Sequence, residues 1–227
     1  MSGGRGLCLS GIWDGPIYAA ACVLKEATMI THLSSDALVL ETERLRLVPM
    51  TMADEDIARA LLCDPRVMRY VTDVMTPEAV RDHMAEATRR GAGGRIGIWC
   101  AIRKDTGEKI GDGVLTPVPI DGCDTDWSQV VPDAYPAGQI EVGYLLVPSA
   151  WGQGFATEIC ARLLQFAFEQ TTLPEVVATT DPDNRKSQHV LTKCGMRPLG
   201  VKRAYGDDNA QWFAMTRPEW EARSALS

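Results

Sequence analysis

The stretch from Ile140 to Glu158 runs an apolar strand pattern into Trp151-Gly152-Gln153-Gly154-Phe155-Ala156-Thr157, a glycine-containing turn that opens a helix. A helix start leaves several backbone N–H groups unpartnered and carries partial positive charge, so phosphates bind there without needing a basic side chain. Gly152 and Gly154 let a ligand approach the main chain closely. The main-chain donors of Gln153, Gly154, Phe155, Ala156 and Thr157 are therefore candidates for holding an anion, against the plainer alternative of a turn that only reverses the chain. One acid stands in the preceding strand, Glu141, and alternation puts Glu141, Gly143 and Leu145 on one face. A carboxylate there can take a proton from a reacting group; the structural alternative is a solvated acid or an internal salt bridge. Further on, Asn184-Arg185-Lys186-Ser187 precedes a short helix, 188–196, in which Gly195 suits the left-handed position after the last turn.

Gly152-Gln153-Gly154-Phe155-Ala156-Thr157 matches only the first two glycines of the dinucleotide fingerprint G-x-G-x-x-G/A, its third position being Thr157, and it falls in the second half of the chain behind several strand patterns. An oxidoreductase reading is disfavoured on both grounds. The P-loop pattern G-x-x-x-x-G-K-[ST] is absent.

The elements that must position these residues read as alternating strands and helices. Arg44 to Met50 alternates basic and apolar residues with a strand's period, and Thr51-x-x-Asp54 is a capping box opening a helix that reaches about Cys63. Thr76-Pro77-Glu78 starts a second helix, broken at Gly91-Ala92-Gly93-Gly94. Two strand patterns, 96–103 and 109–115, flank Lys104-Asp105-Thr106-Gly107 as a hairpin. The irregular stretch 116–138 carries four prolines and four aspartates with Trp127 and Tyr135; it is read as an acceptor-side wall or as a solvated acidic loop. A strand at 139–147, a helix at 156–169 with Ile159, Leu163, Phe166 and Ala167 on its apolar side, and strands at 175–180, 198–204 and 210–216 complete an α/β fold with a mixed sheet.

The 227 residues, 45% of them hydrophobic, suffice for one substantial core. A net charge of -7 disfavours nucleic acid and anionic membranes as partners, and no apolar run approaches the ~20 residues of a membrane span. Seven cysteines without a C-x-x-C pair fit a reducing cytoplasm, and His32, His83 and His189 fall in no metal-ligand spacing, so no metal is expected. An apolar patch at 17–24 is interrupted upstream by Asp14, Gly15 and Pro16, which argues against a signal segment. Residues 1–37 are expected to be a flexible extension, 38–218 the domain and 219–227 a tail.

Trp-Gly-Gln-Gly-Phe-Ala at 151–156, followed by N-x-x-S-x-x-x-L-x-K-x-G at 184–195, resembles the GCN5-related N-acetyltransferases (GNAT), in particular the branch of the ribosomal-protein-alanine N-acetyltransferases. Leu40 to Leu47, Asp64 to Met68 and Trp212 to Met215 fit the same branch, so the resemblance spans most of 38–218. It implies a mixed, mostly antiparallel central sheet flanked by helices. The strands at 139–147 and 175–180 would splay apart and admit the pantetheine arm of acetyl-CoA. It implies transfer of acetyl to a primary amine of a small molecule or a protein N-terminus by direct attack, with a homodimer compatible. The thioester carbonyl would be polarised by a main-chain N–H among Leu145, Leu146 and Val147, Pro148 having none to offer. Glu141 becomes the general base, directly or through a water. The family's usual tyrosine acid is replaced by Leu191, so the resemblance passes thiolate protonation to Ser187 and a pantetheine contact to Asn184, both of which also suit helix capping. Trp151 departs from the Gln or Arg usual at its position, either packing beside the cosubstrate or bracing the turn. A non-catalytic acyl-CoA-binding module is the alternative.

Overall fold

The computed structural model describes residues 30–225. Local sequence signals act where they stand. The Thr51 and Asp54 side chains cap each other's backbone ahead of helix α1 (Glu55–Leu62), and Thr76 accepts from the Ala79 N–H at 3.2 Å to start α3 (Pro77–Ala87) with Pro77 in the first turn. Between them lies the short α2 (Pro65–Met68), capped by Asp64. Strand β2 (Leu45–Pro49) buries Leu45 and Leu47 and exposes Arg46, the alternation read from sequence.

Eight strands form one sheet in the order β1-β2-β3-β4-β5-β6-β8-β7. The others are β1 (Leu40–Glu41), β3 (Gly97–Arg103), β4 (Lys109–Pro117), β5 (Ile140–Leu146), β6 (Glu175–Thr180), β7 (Arg197–Ala204) and β8 (Asp207–Thr216). Every pairing is antiparallel except that of β5 with β6. That pair has one register contact, Glu141 with Val177, whereas β4 and β5 pair over seven positions. The two central strands touch near their starts and then part, as expected.

One face of the sheet carries α4 (Phe155–Gln170), whose Ile159, Leu163, Phe166 and Ala167 are buried at helical spacing against Trp99, Leu115 and Val142. Trp99 meets Phe166 edge to face at 5.4 Å and gives its indole N–H to the Leu38 carbonyl. The other face packs Met50 and Cys100 against Ile57 and Leu61 of α1 and Val80 and Met84 of α3. Helix α5 (Arg185–Lys193) follows β6, and α6 (Arg217–Ser224), within the stretch assigned in part to a tail, stacks Trp220 on Phe168. Residues 30–37, grouped with the extension, are tied to the domain by Leu33 N–H to Gly93 O at 2.9 Å and by Arg95 to Thr31 O at 2.6 Å; the flexibility expected of 1–29 lies outside the described residues.

Strand β4 approaches α4 closely because Gly113 faces it. A Cβ there would stand 2.5 Å from Ile159 Cγ2 and 2.8 Å from Leu163 Cδ1, too close for either to stay in place. Gly113→Val should cost about 2–3 kcal/mol in urea unfolding, and an unchanged midpoint would show that α4 does not rest on this contact.

Candidate active site

The site begins where β5 and β6 separate. The gap opens into a cavity of about 900 Å³ walled by Glu141, Gly143, Tyr144 and Leu145 of β5, Thr179 and Thr180 of β6, Asn184 and Ser187 at the start of α5, and Asp112 of β4. Its outer walls come from three distant segments: the α2–α3 region with Met75 and His83, the long loop with Asp124 and Trp127, and the β7–β8 turn with Tyr205 and Asp207.

The three candidate carbonyl donors are not equivalent. The Leu145 N–H is given to Asp112 Oδ1 at 2.9 Å and the Val147 N–H to Ile110 O at 3.0 Å, both towards β4. Because successive strand N–H groups point to opposite edges, the intervening Leu146 N–H points towards the gap. Of the three named from sequence, Leu145 and Val147 are thus spent on β4, and Leu146 is the one the strand turns to the opening. Trp151 braces this end of the strand by donating its indole N–H to Leu146 O at 2.7 Å.

Beyond β5 the turn is built as its composition required. Gly152 and Gly154 have φ of 75° and 86°, and Gly154 begins the 16-residue α4 without any side-chain cap. The backbone donors of the first turn, in Phe155, Ala156 and Thr157, therefore have no side chain competing for them. Arg44 fixes the turn from behind through Gln153 O at 3.0 Å and Glu158 Oε2 at 2.8 Å, with its guanidinium 4.4 Å from the Phe155 ring centre. Gly152, Gln153 and Gly154 remain exposed. These features fit a diphosphate: open main-chain donors, room for close approach and a rigid backing.

Among the described residues Glu141 is neither solvated nor ion-paired. It is buried, accepts from the Tyr205 hydroxyl on Oε1 and from Thr179 Oγ1 on Oε2 at 3.2 Å, and burial pushes its carboxyl up to about 7 against the pull of those two donors. Asp112 is raised to about 7 for the same reason, opposed by the Leu145 N–H. Both acids sit on the cavity face of the sheet, with Gly143 and Leu145 between them.

On the other side of the gap, Asn184 accepts the Ser187 N–H at 3.2 Å, which is the capping alternative realised. Ser187 Oγ lies 3.1 Å from the Tyr144 hydroxyl, and that phenol is kept protonated because burial disfavours its anion. Leu191, where the family's tyrosine would stand, is buried in the core. Cys160 and Cys194 are also buried, between α4 and α5. Sequence reasoning missed Asp112, Tyr144 and Tyr205. Tyr144 follows Gly143 within the strand motif, a signal available but unused; Asp112 and Tyr205 have no local signal. In the long loop, Trp127 lines the cavity, while Tyr135 packs against the main core.

The sequence model of the acetyltransferase (GNAT) domain family matches residues 44–197. The chain belongs to the GNAT family. As a GNAT acetyltransferase it is an acetyl-CoA-dependent acyltransferase, which excludes the dinucleotide reading of the glycine turn. It is 27% identical over 197 residues to the FsC-acetyl coenzyme A-N(2)-transacetylase of Aspergillus fumigatus, covering 79% of this chain and 80% of that one. It is 30% identical to the uncharacterized protein YkkB of Bacillus subtilis, over 69% and 84% of the two chains. Among solved structures, an acetyltransferase from Agrobacterium tumefaciens superposes with a TM-score of 0.63 at 25% identity, covering 78% of this chain and 93% of that one. The ribosomal L7/L12 protein acetyltransferase RimL, solved with coenzyme A, gives 0.60 at 15% identity, covering 78% and 97%, and so shares the fold. Among the described residues no helix is long and apolar enough to cross a membrane, and no group of three or more His, Cys, Asp or Glu side chains is placed to hold a metal.

Ionised Asp112 should cost stability. With its folded carboxyl near 7 and its ordinary value 3.8, the folded state holds the extra proton between those limits, so stability falls as pH rises from about 4 through 7. Asp112→Asn keeps an acceptor for Leu145 and should be more stable than wild type by on the order of 2 kcal/mol at pH 8, with the gain gone near pH 4. Denaturant curves that stay parallel at both pH values would refute this.

Proposed function

We propose that the protein transfers the acetyl group of acetyl-CoA to a primary amine, of a small molecule or of a peptide N-terminus, by direct attack on the thioester. The observation that carries this reading is the buried Glu141 carboxylate on the cavity wall, at the point where β5 and β6 meet before parting, with a pKa near neutrality and no cation beside it among the described residues. A carboxylate near 7 is mostly ionised just above neutral pH, yet is a stronger base than an ordinary one, so it suits removal of a proton from an incoming ammonium.

The rest of the machinery is assigned around it. Acetyl-CoA supplies the activated acyl group. The donors of Gln153, Gly154, Phe155, Ala156 and Thr157 hold its diphosphate, and Asn184 contacts its pantetheine arm while capping α5. The Leu146 N–H stabilises the oxyanion that develops on the thioester carbonyl. Ser187, beside the neutral Tyr144, is the donor assigned to the departing thiolate. The cavity walls favour a cation: Asp73, Asp112, Asp124, Glu141, Asp181 and Asp207 line it, against Arg69 and His83. The long loop supplies part of that acceptor wall through Asp124 and Trp127. The five described cysteines are free thiols, in keeping with a reducing cytoplasm as the place of action.

Incubation with acetyl-CoA and a mixed library of amines and peptides, read by mass, should give products heavier by one acetyl group; binding of coenzyme A without any acetylated product would favour the non-catalytic module. With an acceptor in hand, Glu141→Gln should lower kcat/KM by roughly 10²–10⁴-fold and abolish the acid limb near pH 7. Ser187→Ala should lower kcat with little change in the KM for acetyl-CoA, and full turnover in that variant removes Ser187 as the essential proton donor.

A further inference from the structure

Tyr205 stands in a backbone conformation that a bulky residue avoids. The turn between β7 and β8 is Tyr205-Gly206, both left-handed, with φ of 53° and 73°. A non-glycine residue held there costs on the order of 1 kcal/mol or more, so the surroundings must over-determine it. They do so from a segment more than 80 positions earlier in the chain. Tyr205 N–H donates to Pro119 O at 2.9 Å, Gly206 N–H to Ile120 O at 3.0 Å, and Arg203 bridges Asp121 at 2.8 Å and Asp208 at 2.6 Å. The turn is thus docked along the start of the long loop, and its outcome is the Tyr205 hydroxyl on Glu141 Oε1, opposite Thr179 on Oε2.

We propose that Tyr205 is a positioning residue that fixes the Glu141 carboxylate and favours its ionised form, and that the docking of the β7–β8 turn on residues 119–121 exists to deliver it. The proposal takes Glu141 as the base assigned above. The direction of the hydrogen bond follows from chemistry: burial and the adjacent carboxylate both disfavour a tyrosinate, so the phenol can only donate. With each oxygen of Glu141 holding one donor, the carboxylate cannot rotate, and each oxygen keeps a lone pair for a substrate proton. The other charged groups around the pair are few. Asp124 of the long loop acts on Tyr205, and Asp207, Asp181, Asp112, His83, Arg69 and Asp73 share the cavity wall with the pair. Burial is what disfavours the Glu141 anion, and the hydroxyls of Tyr205 and Thr179 are the groups that oppose it.

The test is a titration of the full chain with ¹³C-labelled glutamate carboxyls, Glu141 being identified by its loss in Glu141→Gln. Tyr205→Phe keeps the ring and the turn. Its thermal midpoint should stay within a few degrees of wild type, and the Glu141 ionisation should move up by about one pH unit. The acid limb of kcat/KM for the amine should move with it, leaving the KM for acetyl-CoA unchanged, and Tyr205→Phe should change nothing further in a Glu141→Gln background. A folded Tyr205→Phe with the Glu141 midpoint unmoved overturns the proposal. A midpoint that moves while the acid limb stays put supports the role of Tyr205 on the carboxylate and instead removes Glu141 as the base.

Discussion

A single strand pairing governs this molecule. β5 and β6 meet at Glu141 and Val177 and nowhere beyond, although each is flanked on its other side by a long antiparallel partner. Two half-sheets are thereby held together at one point and opened at the other end. Closing the gap would satisfy more backbone groups and remove the site. Leaving it open keeps the Leu146 N–H turned towards the gap, where the chain-like arm of the cosubstrate is proposed to lie.

The electrostatics of the cavity follow from the same opening. Glu141 and Asp112 lie on the sheet face that α4 does not cover, close enough to the core to be desolvated and near enough to the cavity to meet a ligand. Their carboxyls are raised because burial disfavours the charged form, whereas the exposed Asp64 is held ionised by Arg66. Two such groups on the wall of one cavity support the proposal that chemistry takes place there. The anion site we propose is separate, at the uncapped start of α4, where main-chain dipoles would serve and a net charge of -7 is no obstacle.

Much of this was legible in the chain. The capping residues Thr51 and Thr76, the alternation in β2, the hairpin around Lys104 to Gly107, the α4 stripe and the glycine turn are local signals, each decided within a few residues. The family motif at 151–156 and 184–195 carried the cosubstrate. Legible but ambiguous was Asn184, whose side chain caps α5 in the structure and still lines the gap. Tyr144, adjacent to Gly143 in the central strand, is visible in the sequence but carries no pattern that distinguishes it from a strand aromatic of the core.

Sequence alone determined most of the elements, the glycine turn before α4 and the acid near the start of β5, because secondary-structure periodicity and turn chemistry are set by neighbours in the chain. Only the tertiary structure decided which backbone N–H faces the gap, since Leu145 is claimed by Asp112, 33 positions away, and Val147 by Ile110. It likewise decided that Tyr205 reaches Glu141 across 64 positions. Such contacts depend on register across the sheet and on how a loop docks on a distant turn, and one shift in register exchanges every face; no local pattern encodes that choice.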